Sequence, residues 1–278
     1  MKYTYIMAST AGKYISFQNA KRVVVKVGTS TLTHKTGMLN IRKIESLVKV
    51  LSDLKNSGKE IILVSSGAVS AGFAKLGESN MNRTLEDKQA AAAVGQCELM
   101  YMYERQFSQY GHTIAQILIT KDVIDDSLRR QNARSTFSSL LSMNCIPIVN
   151  ENDSISYEGL KFGGNDTLSA YVSLLSDADL LINMSDIDGL YNKNPREHSD
   201  AEFIPYVKTI DEAIRGFAGE AGTARGTGGM IAKIKAAEIV TQTGIPMIIL
   251  NGSYPEILYN VFDGDFVGTV FDSAKNVQ

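Results

Sequence analysis

Between Gly222 and Glu238 the sequence reads GTARGTGGMIAKIKAAE. Gly222, Gly226, Gly228 and Gly229 lead into a segment in which Met230, Ile234, Ala237 and Thr241 recur at helical spacing, with Gly244 placed to end the helix. Backbone N–H groups that feed a helix N-terminus form an anion site. Lys233 falls within the first two turns, where the helix macrodipole disfavours a cation unless an anion is close, and a phosphate would supply one. Lys235, about 200° further round the helix, is expected to face solvent. By itself such a loop is equally well a flexible connection; Lys233 is what points to phosphate.

A second cation, Lys26, interrupts the apolar run VVVKV directly before Gly28, Thr29 and Ser30. An unpaired buried ammonium is costly, so this lysine either guards an exposed sheet edge or has work to do inside a central strand. Two acidic and amide segments could partner such cations: NENDS, from Asn150 to Ser154 and including Asn152 and Asp153, and FGGNDTLSA, from Phe162 to Ala170. Asn165 or Asp166 would make a good N-cap for the helix that follows. The two segments together, with glycines that admit a ligand to the backbone, also suit the recognition of an ammonium group or the organisation of cations.

The elements that must position these residues follow from hydrophobic patterning. Apolar, β-branched runs at 22–27, 60–65, 113–119, 146–150, 179–184 and 246–250 suit strands buried on both faces. Amphipathic stretches lie between them, such as NIRKIESLVKVLSDLKNSG closed by Gly58, and NDTLSAYVSLL. Alternating strand and helix implies a layered α/β fold with a mostly parallel sheet. The runs are followed by GTS, SGAVSAG, ENDS, SDIDG and NGS. These clusters fall at the carboxyl ends of strands, where open α/β sheets bind ligands, although small polar residues also populate ordinary turns. In the tail, YNVFDGDFVGTVF reads as a closing hairpin around DGD.

Composition excludes several classes. The 278 residues are 44% hydrophobic and 21% charged with a net charge of −2, so neither bulk nucleic-acid binding nor attachment to anionic membranes is expected. No run is long enough to span a bilayer, and residues 1–20 lack the apolar stretch of a secretory signal. Cys97 and Cys145 have no CxxC spacing and stand in apolar segments, which suggests buried free thiols and a reducing cytoplasm. The P-loop, the Rossmann GxGxxG, HExxH and GxSxG are all missing, and His34, His112 and His198 have no partner pattern.

In order along residues 22 to 270, VVVKVGTSTLT, VSSGAVSAG, KQAAAAVGQ, NARSTF, PIVNENDSI, FGGNDTLSA and GTGGMIAKIKAA resemble the motifs of the glutamate 5-kinase family, within the amino acid kinase superfamily. The resemblance implies a three-layer αβα sandwich around a mostly parallel sheet of about eight strands. It also implies ATP-dependent phosphorylation of the L-glutamate side-chain carboxylate to glutamyl 5-phosphate, the first step of proline biosynthesis. After a leader at 1–20, residues 21–278 would form one kinase domain, with 21–175 binding glutamate and 176–278 binding nucleotide. Lys26 and Lys233 would contact phosphate, and Asp166 would organise them. Ser66, Gly67, Asn152, Asp153 and Asn165 would bind glutamate. Gly28, Ser185, Asp186, Thr227, Gly228, Gly229 and Met230 would join the lysines around the nucleotide. Mg²⁺ would enter mainly on the ATP phosphates, with no protein ligand assigned. A cytoplasmic homo-oligomer, dimer or tetramer, inhibited by proline is the family expectation, and the Ala-, Met- and Tyr-rich segment after residue 85 reads as core or oligomer contact.

Three departures stand out. Gly164 replaces an aspartate found in many relatives, Ala232 replaces a hydroxyl residue before the second lysine, and the chain ends without the PUA domain that many relatives carry. The chemistry suits the residues present. A glutamate carboxylate, with a reference pKa of about 4.3, is already ionised at neutral pH, so its attack on phosphorus needs no general base. Two alternatives remain: a sister kinase acting on N-acetylglutamate, aspartate or UMP, and a catalytically silent amino-acid or nucleotide sensor on the same fold. NENDS and FGGND favour a free amino group beside two carboxylates, and Lys26, Asp166 and Lys233 favour catalysis.

Overall fold

The structure, a computed structural model, describes residues 17–77, 84–156, 162–219 and 229–273. Ten strands run in chain order: β1 (Arg22–Val27), β2 (Glu60–Ser65), β3 (Ile114–Ile119), β4 (Ile146–Glu151), β5 (Leu180–Ser185), β6 (Leu190–Tyr191), β7 (Phe203–Ile204), β8 (Tyr206–Val207), β9 (Met247–Asn251) and β10 (Thr269–Phe271). Eight of them form one sheet in the order β3-β4-β2-β1-β5-β9-β10-β8. From β3 to β9 every pairing is parallel; β10 runs antiparallel to β9 and carries β8 with it. β1 is therefore central, which answers the question raised by Lys26. The five polar carboxyl-end loops follow β1, β2, β4, β5 and β9, which are adjacent and parallel, so all five open on one edge of the sheet.

The helices are α1 (Thr29–Leu32), α2 (Ile41–Asn56), α3 (Ala68–Leu76), α4 (Leu85–Phe107), α5 (Asp122–Asp125), α6 (Ser127–Ser142), α7 (Asn165–Leu175), α8 (Glu212–Gly219), α9 (Met230–Thr241) and α10 (Ile257–Asp263). Ile44, Leu47, Val48, Leu51 and Leu54 make the buried stripe of α2, which starts where the Asn40 side chain accepts from Lys43 N. With α4 and α10, this stripe covers one face of the sheet, packing on Val23, Val25 and Val27. α6, α7 and α9 cover the other face over Val24, Ile62, Val64 and Leu181. The two-residue period of β1 puts Lys26 on the second face, beneath α7 and α9.

Three sequence expectations change. β3 is an edge strand, and its exposed Leu118 shows that it is not buried on both faces. The tail is not a hairpin. Leu258, Val261 and Phe262 have helical spacing and bury the inner face of α10, Gly264 ends that helix at φ +82°, and β10 then pairs with β9 across the sheet. Cys97 is exposed, because its apolar neighbours in sequence do not share its face when α4 turns about 100° per residue, and Cys145 is partly exposed in the connection between α6 and β4.

α3 and α4 meet backbone to backbone. A Cβ on Gly95 would lie 1.8 Å from Ala68 O and 2.5 Å from Gly72 N, and one on Gly72 would lie 1.8 Å from Ala91 O. No side-chain rotation relieves a clash with a carbonyl. Gly95→Ala is expected to force the helices apart and cost about 1–3 kcal/mol, measured as a fall in the urea midpoint at constant m.

Candidate active site

β1 brings Lys26 to the carboxyl edge with its Nζ 2.6 Å from Asp166 Oδ1, and α9 brings Lys233 with its Nζ 3.3 Å from Asp166 Oδ2. Asp166 is only 1% exposed and both lysines are 6% exposed. Two ammonium groups thus share one carboxylate, leaving a net positive charge in a buried site. Burial pushes the Asp166 carboxyl up, but Lys26, Lys233 and the Asn183 amide together hold it below its ordinary range. Burial pushes the Lys26 ammonium down; Asp166 draws it part of the way back and the like charge of Lys233 lowers it further.

Asn183 was not anticipated. It stands directly across from Lys26 in the β1–β5 register, and its Nδ2 donates to Asp166 Oδ1 at 2.7 Å. Its Oδ1 is buried with no hydrogen-bond partner among the described residues, at a cost of about 1–3 kcal/mol. A buried amide beside a carboxylate is hard to justify as packing. The available signal was a lone Asn inside the apolar run LLINM.

α7 does not begin as the sequence suggested. Its N-cap is Gly164, at φ +118° and ψ 165°, and neither Asn165 nor Asp166 caps it. Freed from capping, the two side chains point to different partners. While Asp166 holds the lysines, Asn165 Nδ2 lies 2.8 Å from Ser66 Oγ and 2.9 Å from both Ser65 O and Asn150 Oδ1. Adjacent residues of one helical turn therefore join the loops after β2 and β4 to the lysine pair. The conformation of Gly164 is open essentially to glycine alone. Gly164→Asp is expected to lower the thermal midpoint by the equivalent of about 1–3 kcal/mol, read by calorimetry.

Ser66 and Gly67 lie between β2 and α3, with Gly67 at φ +105°. Asn152 accepts from Ser154 Oγ at 2.6 Å, which commits its amide oxygen to the turn. Asn152 and Asp153 line a cavity of about 220 Å³ together with Asn150, Glu151, Ser154 and Gln96. Asn150, the first residue of NENDS, and Gln96, assigned no role from the sequence, thus line the same cavity. Gln96 is a single polar residue after the small apolar run AAAAVG.

On the other side, Gly28 leaves open the space by Lys26, since a Cβ there would come 3.6 Å from Nζ. Ser185 ends β5 and Asp186 follows it. Arg196, also not anticipated, holds Asp186 with Nη2 2.7 Å from Oδ2; although burial raises that carboxyl, Arg196 keeps it below its ordinary range. Gly229 is the N-cap of α9 and Met230 its first residue, with no side-chain cap bond. Ala232 N–H already bonds the Gly229 carbonyl at 3.0 Å, so the helix-start N–H groups left without an intrahelical acceptor are those of Met230 and Ile231. Thr227 and Gly228, with Gly222 and Gly226, lie outside the described residues. Lys235 is exposed, as expected. His34 and His198 are exposed, and His112 contacts Ser52 O at 3.3 Å, away from the site. No helix among the described residues is long and apolar enough to cross a membrane.

Comparison with known proteins gives the family and agrees with the fold. Residues 21–251 match the model of the amino acid kinase family. The chain is 53% identical over 258 residues to a glutamate 5-kinase of Clostridium tetani, covering 93% of this chain and 97% of the relative. It is 48% identical over 264 residues to a glutamate 5-kinase of Clostridium perfringens, covering 94% and 98%. Among solved structures, a UMP kinase from Ureaplasma parvum superposes with a TM-score of 0.64 over 91% of this chain and 99% of its own, at 13% identity, a likeness of fold alone.

Proposed function

This chain belongs to the amino acid kinase family, and from that premise we propose that it transfers the γ-phosphoryl group of ATP to the side-chain carboxylate of L-glutamate. It is an enzyme, a glutamate 5-kinase, making glutamyl 5-phosphate for proline biosynthesis. The observation that carries the reading is the pair of buried ammonium groups sharing Asp166, one residue from the amide of Asn165. Relatives at about 50% identity over nearly the whole chain favour glutamate over the substrates of sister kinases.

In this reading Ser66, Gly67, Asn152, Asp153 and Asn165 receive glutamate, and its ionised carboxylate attacks phosphorus without a general base. Lys26 and Lys233 move from Asp166 onto the transferring group, where charge builds on the equatorial oxygens, and Asp166 keeps them in place between turnovers. Gly28, Ser185, Asp186 and the segment Thr227 to Met230 hold the nucleotide. The division at about residue 175 into glutamate and nucleotide parts follows from this allocation. ATP is the co-substrate. Among the described residues no group of three or more His, Cys, Asp or Glu side chains is gathered for a metal, and Asp166 is already bound by two cations. Mg²⁺ carried on the ATP phosphates fits that donor set better than a protein cage, and bound there it neutralises phosphate charge. A cytoplasmic location, assembly into a dimer or tetramer and inhibition by proline complete the proposal and rest on the family resemblance.

The deciding experiment is hydroxamate trapping with ATP, Mg²⁺ and L-glutamate, run beside L-aspartate and N-acetylglutamate. Glutamate is expected to give the acyl hydroxamate and the other two little. No product from glutamate would sink the reading.

A further inference from the structure

We propose that Gln96 is a positioning residue for this reaction: from α4 it sets the orientation of Asn150, and through it that of Asn165, fixing the polarity of the glutamate site. The inference rests on the function proposed above.

The hydrogen bonds leave one consistent assignment. Asn150 Oδ1 accepts from the backbone N–H of Glu151 at 2.9 Å, and an N–H can only donate, so the oxygen end of this amide is fixed. The same oxygen lies 2.9 Å from Asn165 Nδ2. Asn150 Nδ2 must then face the other way, where Gln96 Oε1 accepts it at 3.0 Å. Asn165 is fixed in turn, because its NH₂ faces the carbonyl oxygen of Ser65 at 2.9 Å, which can only accept, as well as Asn150 Oδ1. Its Oδ1 is left at the opposite end of the amide, available to accept from a ligand ammonium group.

Asn150 is 3% exposed and Gln96 9%, so water does not readily replace either partner. The backbone contact at Gly95, the residue before Gln96, brings α4 close enough for the bond to form. Seven residues along the same buried stripe, the hydroxyl of Tyr103 lies 2.8 Å from Ser65 Oγ. α4 thus supports the acceptor site at two points, and Gln96 is the one that sets polarity.

The test compares Gln96→Met, which keeps length and loses the acceptor, with Gln96→Glu, which keeps an acceptor oxygen. Steady-state hydroxamate kinetics are run for each, with thermal midpoints alongside. Gln96→Met is expected to raise the glutamate KM about tenfold, the loss of one buried hydrogen bond, with kcat and the ATP KM within about threefold. Gln96→Glu is expected to restore most of the glutamate KM. If Gln96→Met does not fold, Gln96→Asn, whose amide is too short to reach Asn150, carries the same expectation. An unmoved glutamate KM overturns the inference, and so does an equal rise in the Met and Glu variants, which would mark a packing role. Wild-type protein that makes no glutamyl hydroxamate removes the proposed function and this inference with it. Wild-type activity with an unmoved KM in Gln96→Met removes this inference alone.

Discussion

Lys26→Met and Lys233→Met are each expected to lower kcat by about 10³-fold, while the glutamate KM changes far less. Each lysine is anchored on Asp166 inside a buried site, where a charge acts through little screening water. An anionic carboxylate must approach an anionic phosphate there, so removing one ammonium leaves the transition state with one lysine charge in place of two. In the proposed allocation glutamate is held by residues around the carboxyl ends of β2 and β4, which neither substitution touches. Single-turnover hydroxamate formation checks the expectation, and near-normal turnover in both variants would show that the lysines do not stabilise the transferring group.

Asp166→Asn is expected to cost about 3 kcal/mol at neutral pH, because it removes the buried carboxylate that both ammonium groups share. For a chain of 278 residues that is a fall in Tm of about 5 °C. The pH dependence carries the sign. The Asp166 carboxyl titrates in the folded protein below its ordinary value of 3.8, so its contribution is fully present above that value and is lost as pH falls through the folded one. The variant lacks that contribution at every pH, so the gap to wild type should close in acid. Lys26 titrates below its ordinary 10.5, so the unfolded chain holds more protons between the two values and stability rises with pH there. With Asp166 removed this alkaline rise should be steeper, and the gap should narrow again as pH approaches that range. Calorimetry from acid to alkaline pH tests both limbs; a gap independent of pH would show that the charges are not coupled as the geometry indicates.

Much of the fold was legible because strands buried on both faces must be continuously apolar; five of the eight main-sheet strands announce themselves that way, and β3 is apolar enough to be found although it lies at the edge. β8 and β10 did not, being only two and three residues long, and β10 owes its place to pairing with β9 after α10 has crossed over. Lys26, Lys233 and Asp166 were legible because each breaks a local rule: a charge in an apolar strand, a cation early in a helix, a carboxylate after a glycine pair. Asn183, Gln96 and Arg196 were not, since a single amide or guanidinium carries no local contradiction strong enough to mark it.

The sequence by itself determined which charged residues break the local pattern, how the strands and helices alternate, and that the polar loops follow the strands. These are properties of nearest neighbours along the chain, set by side-chain period, charge and glycine. Only the tertiary structure decided that Lys26 lies in a central strand, that Asn165 and Asp166 turn from capping to facing opposite partners, and that Asn183 and Gln96 complete their networks. Those outcomes depend on the register between strands, which sets Lys26 opposite Asn183, 157 positions away, and on how closely α3 and α4 approach. No local pattern encodes such distances; they emerge when the two helical layers close on the sheet.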